Sequence, residues 1–120
     1  MLVIRREQMR AFEGARRQQF EETLLPRLYA GGRADRRWLE AQIGLGIEAG
    51  RAFGLVLEWE VASLIEITCA YIPGGFPEND PAKLPVPALA VLLTRGLDTG
   101  VKLERYRKWA SEWDGEKVWR

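Results

Sequence analysis

Histidine is absent from this sequence of 120 residues, and cysteine occurs once, as Cys69. Without histidine, the chain lacks the commonest general base and the commonest metal ligand of proteins. A single cysteine excludes an internal disulfide. Because Cys69 lies in an apolar run, we expect it to be a small buried side chain rather than a reactive thiol.

Long hydrophobic runs are also missing. No stretch approaches the roughly 20 apolar residues that a membrane-spanning helix needs. The opening MLVIRREQ has four apolar residues followed by arginines, whereas a secretory signal has roughly 7–15 apolar residues after its positive charges. We therefore expect a cytoplasmic protein with no membrane span.

Neither sign of charge dominates: 18 Lys and Arg residues stand against 17 Asp and Glu residues, for a net charge of +1. The middle of the chain is acidic, because residues 53–94 hold 1 basic and 5 acidic side chains. Arg105 and Arg107 lie among aromatic residues near the C-terminus, a combination that suits single-stranded nucleic acid. Neighbouring glutamates dilute the positive field, so we expect no nucleic-acid partner.

Apolar residues recur at three- and four-residue steps, which predicts helices. The segments with this spacing cover residues 6–28, 35–54, 58–72, 87–96 and 99–113. Pro26 lacks the N–H that a helix needs, so we expect a kink or an end near Leu25. No segment shows sustained alternation, and the short run GLVLEWEV is the only ambiguous place. We predict an all-α single domain of four to five helices, with the helix of residues 58–72 at its centre.

Glycines recur along the second predicted helix, at Gly44, Gly46, Gly50 and Gly54. A dinucleotide-binding loop needs a strand before its first glycine, and here a helical pattern runs through all of them. We expect these glycines to permit close approach of helices, with Gly54 ending the second helix.

Proline is concentrated in CAYIPGGFPENDPAKLPVP, residues 69–87, which holds five of the six prolines. Prolines keep a chain extended, so we predict that residues 73–87 form a stiff joint. This joint follows an N-terminal three-helix part, residues 1–72, and precedes C-terminal helices in residues 88–120. Glu78 and Asp80 lie in the joint, but two carboxylates without a calcium-loop pattern predict a solvated loop rather than a metal or catalytic site.

Glu66 is a lone charge within the apolar third helix. It either points to solvent or pairs with an arginine, or else it is a functional buried carboxylate, and we expect the first arrangement. No serine-centred elbow, Cys/His pair or phosphate loop occurs, so we predict no enzyme, with no catalytic, cofactor-binding or metal-binding residues.

Tryptophan is abundant, and three of the five, Trp109, Trp113 and Trp119, fall in the last twelve residues. Tryptophan and arginine are the residue types that most often anchor protein interfaces. A terminal segment frays unless it docks, so these side chains are either covered by the domain or contact a partner. We predict a protein interface that includes these tryptophans with Arg105 and Arg107.

Two parts of the chain, the opening MLVIRREQMRAFE and the run EAGRAFGLVLEWEVASLIEI, resemble a known family. The matching positions are Ile4, Arg5, Glu7, Gln8, Met9, Phe12, Phe20, Glu21, Ile43, Gly46, Ile47, Arg51, Phe53, Gly54, Glu58, Val61, Ile65 and Glu66. The family consists of small helical bacterial proteins of uncertain function, whose genes lie beside those for spike, tip and effector proteins of type VI secretion systems. The resemblance covers residues 1–72, and the tail only through Tyr106.

The chain departs from this family at two places. Leu57 stands where the family has a Ser or Thr cap for the third helix, which weakens that cap by about 1 kcal/mol. The loop after the third helix is richer in proline than in the family.

The resemblance implies a non-catalytic adaptor or chaperone of type VI secretion, which binds an effector or a spike component. The alternative is an immunity protein that neutralises a co-encoded toxin, and another copy of the chain is also a possible partner.

Overall fold

The structure is a computed structural model that describes residues 14–30, 35–72 and 74–112. Within these ranges the chain forms five helices and no strand. The helices are α1 (Gly14–Ala30), α2 (Arg36–Ala52), α3 (Glu58–Tyr71), α4 (Val86–Leu92) and α5 (Thr99–Glu112). The predicted all-α class with four to five helices is confirmed, and the ambiguous GLVLEWEV run is a short link followed by the beginning of α3. None of the described helices is long and apolar enough to span a membrane.

α3 lies at the centre of the bundle, as its composition predicts. It packs against α1, α2 and α5, and eight of its 14 residues are buried. A helix that is apolar around most of its circumference is stable where neighbours cover it on several sides. Each large aliphatic side chain buried there contributes roughly 1.5–3 kcal/mol, so α3 organises the packing of the other helices.

Of the kink or end expected near Leu25, the end does not occur in α1. This helix does not stop near Leu25 but continues to Ala30, with Pro26 inside it. Pro26 cannot donate to the carbonyl of Glu22, but both residues are exposed, so water can bond to that carbonyl. Leu25 and Leu28 are buried on either side of the proline, and this packing holds the last turn helical although its local propensity is poor.

α2 begins and ends where the sequence predicts. The carboxylate of Asp35 accepts a hydrogen bond from the N–H of Trp38 at 3.2 Å. At the other end Gly54 adopts a φ of +78°, which glycine tolerates without strain. The N–H groups of Gly54 and Leu55 donate to carbonyls of the last turn at 3.1 and 2.8 Å, which is the Schellman arrangement.

The predicted close approach of helices occurs at Gly46. A Cβ atom added there would overlap the side chains of Ile65 and Phe76, so α2 lies against α3 with no room for a larger residue. At Gly44 an added Cβ would meet only the end of the flexible Arg17 side chain, at 2.9 Å. The two glycines therefore differ in what a substitution would cost.

α3 begins without a side chain from the cap residue itself. Leu57 has no polar side-chain atom to offer to the N–H groups of the first turn, and the carboxylate of the buried Glu60 supplies only the reciprocal half of a capping box. This carboxylate accepts hydrogen bonds from the N–H groups of Leu57 at 2.9 Å and Val56 at 3.2 Å. A negative charge in the first turn also interacts favourably with the helix dipole. Glu60 therefore stabilises the beginning of α3, although Leu57 itself contributes no side-chain cap.

The C-terminal helices belong to the same bundle. α4 is shorter than the predicted segment of residues 87–96, because it ends at Leu92, and Gly96 lies in the link to α5 with a φ of +78°. α5 begins after Asp98, whose carboxylate accepts from the N–H of Gly100 at 3.0 Å. α4 packs on α5, and α5 packs on α3.

Candidate protein-binding surface

The proline-rich segment is more than a spacer, because the described part of it, residues 74–85, packs into the core. Phe76 and Leu84 are only 1% and 3% exposed. The side-chain amide of Gln42 in α2 accepts from the N–H of Phe76 at 2.6 Å and donates to its carbonyl at 3.1 Å. Gly75, with a φ of +64°, lies so close to this amide that an added Cβ would overlap it. A single glutamine thus satisfies both backbone polar groups of Phe76.

The two carboxylates of this segment, Glu78 and Asp80, are exposed. Within residues 14–30, 35–72 and 74–112, no group of three or more His, Cys, Asp or Glu side chains is placed to hold a metal ion. The loop therefore presents its carboxylates to solvent while its apolar residues face inward.

Glu66 makes a two-point ion pair with an arginine, the first of the arrangements that the sequence left open. The Nε and Nη2 atoms of Arg27 in α1 lie 2.6 and 3.1 Å from the two carboxylate oxygens of Glu66. The arginine side chain is 57% exposed and the glutamate side chain 22%, so the pair contributes at most about 1 kcal/mol. Its main effect on the surface is to neutralise Arg27.

Thr68 and Tyr106 form a buried hydroxyl pair between α3 and α5. Their oxygen atoms are 2.6 Å apart, and either hydroxyl can donate. Burial raises the pKa of Tyr106 above its ordinary value of 10.0, although the hydrogen bond with Thr68 opposes this shift. In an apolar surrounding, such a pair satisfies two polar groups that would otherwise each be costly.

The interface residues predicted near the C-terminus are dispersed where the structure describes them. Trp109 is half-buried against the core and stacks on Tyr106, with ring centroids 6.3 Å apart. Arg105 and Arg107 are both exposed, but two positions along a helix point about 200° apart. Arg105 lies on the side of Trp109, and Arg107 lies beside Arg27 and Glu66. Trp113 and Trp119 lie outside the described residues.

A concave surface occurs elsewhere, between α1 and α3. This α1–α3 groove has a volume of about 620 Å³ and is lined by side chains from residues 19–27 of α1 and residues 58–62 of α3. Phe20, Leu24 and Ala62 form its apolar floor, and each is nearly covered. Trp59 lies at the groove with 53% of its surface exposed, a large exposed fraction for an aromatic side chain of this size.

Acidic side chains border this groove. Glu22 on α1 and Glu58 on α3 both line it, and Arg27 is the basic side chain among the described residues that line it. Because Arg27 is paired with Glu66, its charge is largely compensated. The groove therefore presents an aromatic ring beside negative charge.

Trp59 and Glu22 were not among the residues singled out from the sequence. The buried face of α3 includes Val61, Leu64 and Ile65, and Trp59 precedes Val61 by two positions, which places it about 200° away on a helix. That offset could have indicated an outward-facing tryptophan. Pairing it with Glu22 requires knowledge of how α1 lies on α3.

A second exposed apolar surface lies along α4. Val86 and Leu93, at its beginning and just beyond its end, are 77% and 57% exposed, and Ala90 lies exposed between them. This stripe is apolar, whereas the α1–α3 groove combines a concave shape, an exposed tryptophan and negative charge. The groove is therefore the better-defined candidate for recognising a partner.

Comparisons of the chain with protein-family models, with curated proteins and with solved structures found no match.

Proposed function

We propose that this protein is a non-catalytic adaptor or chaperone, accessory to type VI secretion, that binds an effector or spike component through a helix surface. The binding role rests on one observation, the α1–α3 groove with Trp59 exposed beside it. Large aromatic side chains that are desolvated on association supply much of the energy at protein interfaces. The link to secretion rests on the resemblance of residues 1–72 to proteins encoded beside spike and effector genes.

The buried polar side chains support a binding role, because each has a structural partner. Gln42 holds the backbone of Phe76, and Glu60 caps α3. Thr68 and Tyr106 bond to each other. These groups stabilise the bundle, and recognition is therefore assigned to the surface, where the α1–α3 groove is better defined than the stripe along α4.

The partner is tested with the products of the genes adjacent to this one. The tagged chain is expressed in the cytoplasm with each product in turn, purified, and examined for a stoichiometric complex by light scattering. The same measurement on the chain alone gives its oligomeric state, and thus tests whether a second copy is the partner. We expect a complex with an effector or spike component, and failure of every neighbouring product to bind would contradict the proposed function.

The adaptor role and the alternative immunity role differ in a toxicity assay. An immunity protein restores growth to cells that express the neighbouring toxin. An adaptor leaves toxicity unchanged but is needed for secretion of its effector. We expect the second result, and rescue of growth without any effect on secretion would favour the immunity role.

A further inference from the structure

We infer that the α1–α3 groove binds a cationic segment of a partner polypeptide, with an arginine or lysine of that segment lying on the ring of Trp59. This inference rests on the proposed function, since it concerns the same partner, and it adds the chemistry of the segment that is recognised. Two features of the groove, its exposed aromatic ring and its charge, carry the inference together.

The ring of Trp59 lies close to α5 and is still exposed. Its outer edge lies by the first turn of α5, where a Cβ added to Gly100 would be 4.0 Å from the ring. More than half of the side chain is nevertheless accessible, at 53%. Tryptophan is the best of the aromatic residues at binding a cation over its face. A guanidinium or ammonium group would cover this surface without having to bury a charge in an apolar site.

The charges around the ring favour a cation over an anion. Glu22 is exposed, and its carboxylate accepts a hydrogen bond from the neutral amide of Gln18 at 3.3 Å, so its negative charge is not neutralised by that contact. Glu58 already takes part in an interaction within the chain. We therefore assign the partner's cation to Glu22 and Trp59 together. Negative charge next to an aromatic face strengthens its attraction for a cation and repels acidic segments.

The apolar floor of the groove determines which residue type of the partner segment binds next to its basic residue. Phe20, Leu24 and Ala62 offer a narrow apolar strip rather than a wide face. A volume of about 620 Å³ holds a few side chains, which is the size of a small-ligand pocket. The fitting occupant is a short segment with one basic residue and one aliphatic residue about a helical turn apart, rather than a long amphipathic helix.

The test uses two labelled synthetic peptides of equal length and measures their binding to the full chain by fluorescence polarisation. One peptide carries arginine and leucine at helical spacing, and the other carries glutamate in place of each arginine. We expect the arginine peptide to bind more tightly than the glutamate peptide. Its binding should also weaken as salt rises from about 50 mM to about 500 mM, because exposed charges are screened.

Variants of the chain then locate the site. Trp59→Ala should weaken binding of the arginine peptide about tenfold, which corresponds to about 1.4 kcal/mol. Glu22→Lys should weaken it at least as much, and Glu22→Gln less. Two matched controls lie away from the groove: Tyr71→Ala removes an exposed aromatic at the other end of α3, and Glu48→Gln removes an exposed charge on α2. Both should bind within about twofold of the parent chain, and a melting curve for each variant verifies that it is folded.

The inference and the proposed function can fail separately. Equal binding by the Trp59→Ala, Glu22→Lys and parent chains would overturn the inference, as would tighter binding of the glutamate peptide. A photo-crosslinker at Thr23, which lines the groove, provides an independent measurement in the complex with a neighbouring gene product. Crosslinks to a basic segment of that product support the inference, and crosslinks to a second copy of this chain contradict it. Failure of the proposed function would appear as the absence of any complex with the neighbouring products.

Discussion

Single polar residues determine how the apolar helices fit together. Tyr106 is fully buried and bonds to Thr68 across the contact of α3 with α5. A tyrosine at this position defines the helix packing more narrowly than a phenylalanine would. Its hydroxyl can bond to Thr68 only when α3 and α5 have one relative shift and one relative rotation. The pair converts a hydrophobic contact, which has no direction, into one with a defined register. The carboxylate of Glu60 has a local role, because it accepts from the N–H groups just before α3.

Tyr106 should make the protein sensitive to alkaline conditions. Because burial raises its pKa above 10.0, the folded chain keeps the proton at pH values where the unfolded chain loses it. The unfolded state is then favoured as pH rises through 10 towards the folded pKa, by up to about 1.4 kcal/mol per pH unit. Tyr106→Phe removes this contribution. Urea unfolding at pH 8 to 11 should show a smaller alkaline loss of stability in the variant than in the parent chain.

The exposed tyrosines supply the control for this experiment. Tyr29 and Tyr71 are 39% and 41% exposed, so replacing either one by phenylalanine removes a surface hydroxyl and provides the matched comparison. At neutral pH, Tyr106→Phe itself should cost about 1 kcal/mol, because the Thr68 hydroxyl loses its buried partner. An alkaline slope identical in the Tyr106→Phe and parent chains would contradict the assignment to Tyr106.

At the scale of the elements, the distance between neighbouring helices decides which side chains a helix can carry at the contact. α2 carries glycines that lower its intrinsic helix propensity by about 1 kcal/mol each. At Gly46 that cost allows the helix to lie against Ile65 and Phe76. At Gly44 no core side chain is near, so glycine there has no comparable packing role.

Alanine at these two glycines should therefore have opposite effects. Gly46→Ala forces a methyl group into Ile65 and Phe76, and we expect it to destabilise the chain by roughly 1–3 kcal/mol. Gly44→Ala meets only the mobile end of Arg17, and we expect it to be neutral or to stabilise by up to about 1 kcal/mol. Chemical denaturation of the two variants measures both free energies, and an equal loss in the two would contradict this packing.

The loop after α3 depends on one side chain of α2. Gln42→Met keeps the approximate volume but leaves the N–H and carbonyl of Phe76 without their partner. We expect a loss of about 2–3 kcal/mol from these buried groups. Hydrogen exchange should speed up at Phe76 and its loop neighbours more than in the middle of α3. Gln19→Met, the same substitution at an exposed position of α1, serves as the control and should alter neither quantity.

At the scale of the whole molecule, α5 is joined to the core more closely than the sequence suggested. Trp109 packs against the core and stacks on Tyr106, and Ala110 is only 2% exposed. Trp109 is thus part of the bundle to a large extent, while the roles of Trp113 and Trp119 stay predictions. The test of the C-terminal tryptophans as partner anchors therefore has to begin after Glu112.

Two truncations separate the contribution of the C-terminal segment to stability from its contribution to partner binding. Deletion of residues 109–120 removes the packed Trp109 and Ala110, and should lower the melting temperature by several degrees, since a loss of about 1 kcal/mol shifts the midpoint of a 120-residue chain by roughly 4 °C. Deletion of residues 113–120 leaves that packing in place and should lower it less. If Trp113 and Trp119 anchor the partner, the shorter deletion should still weaken binding, and unchanged binding would limit recognition to the described helices.

The sequence by itself determined the helices, because periodic apolar spacing, the Asp35 cap and the Gly54 stop are local features that act within a few residues. It also determined that α3 is central, since a helix apolar around most of its circumference has to be covered. Only the tertiary structure decided which helices meet, and therefore that Gln42 bonds to Phe76, that Arg27 pairs with Glu66, and that α1 continues past Pro26. The tertiary structure alone also decided the α1–α3 groove. Glu22 and Trp59 lie on separate helices, and packing against a shared core brings them to one surface.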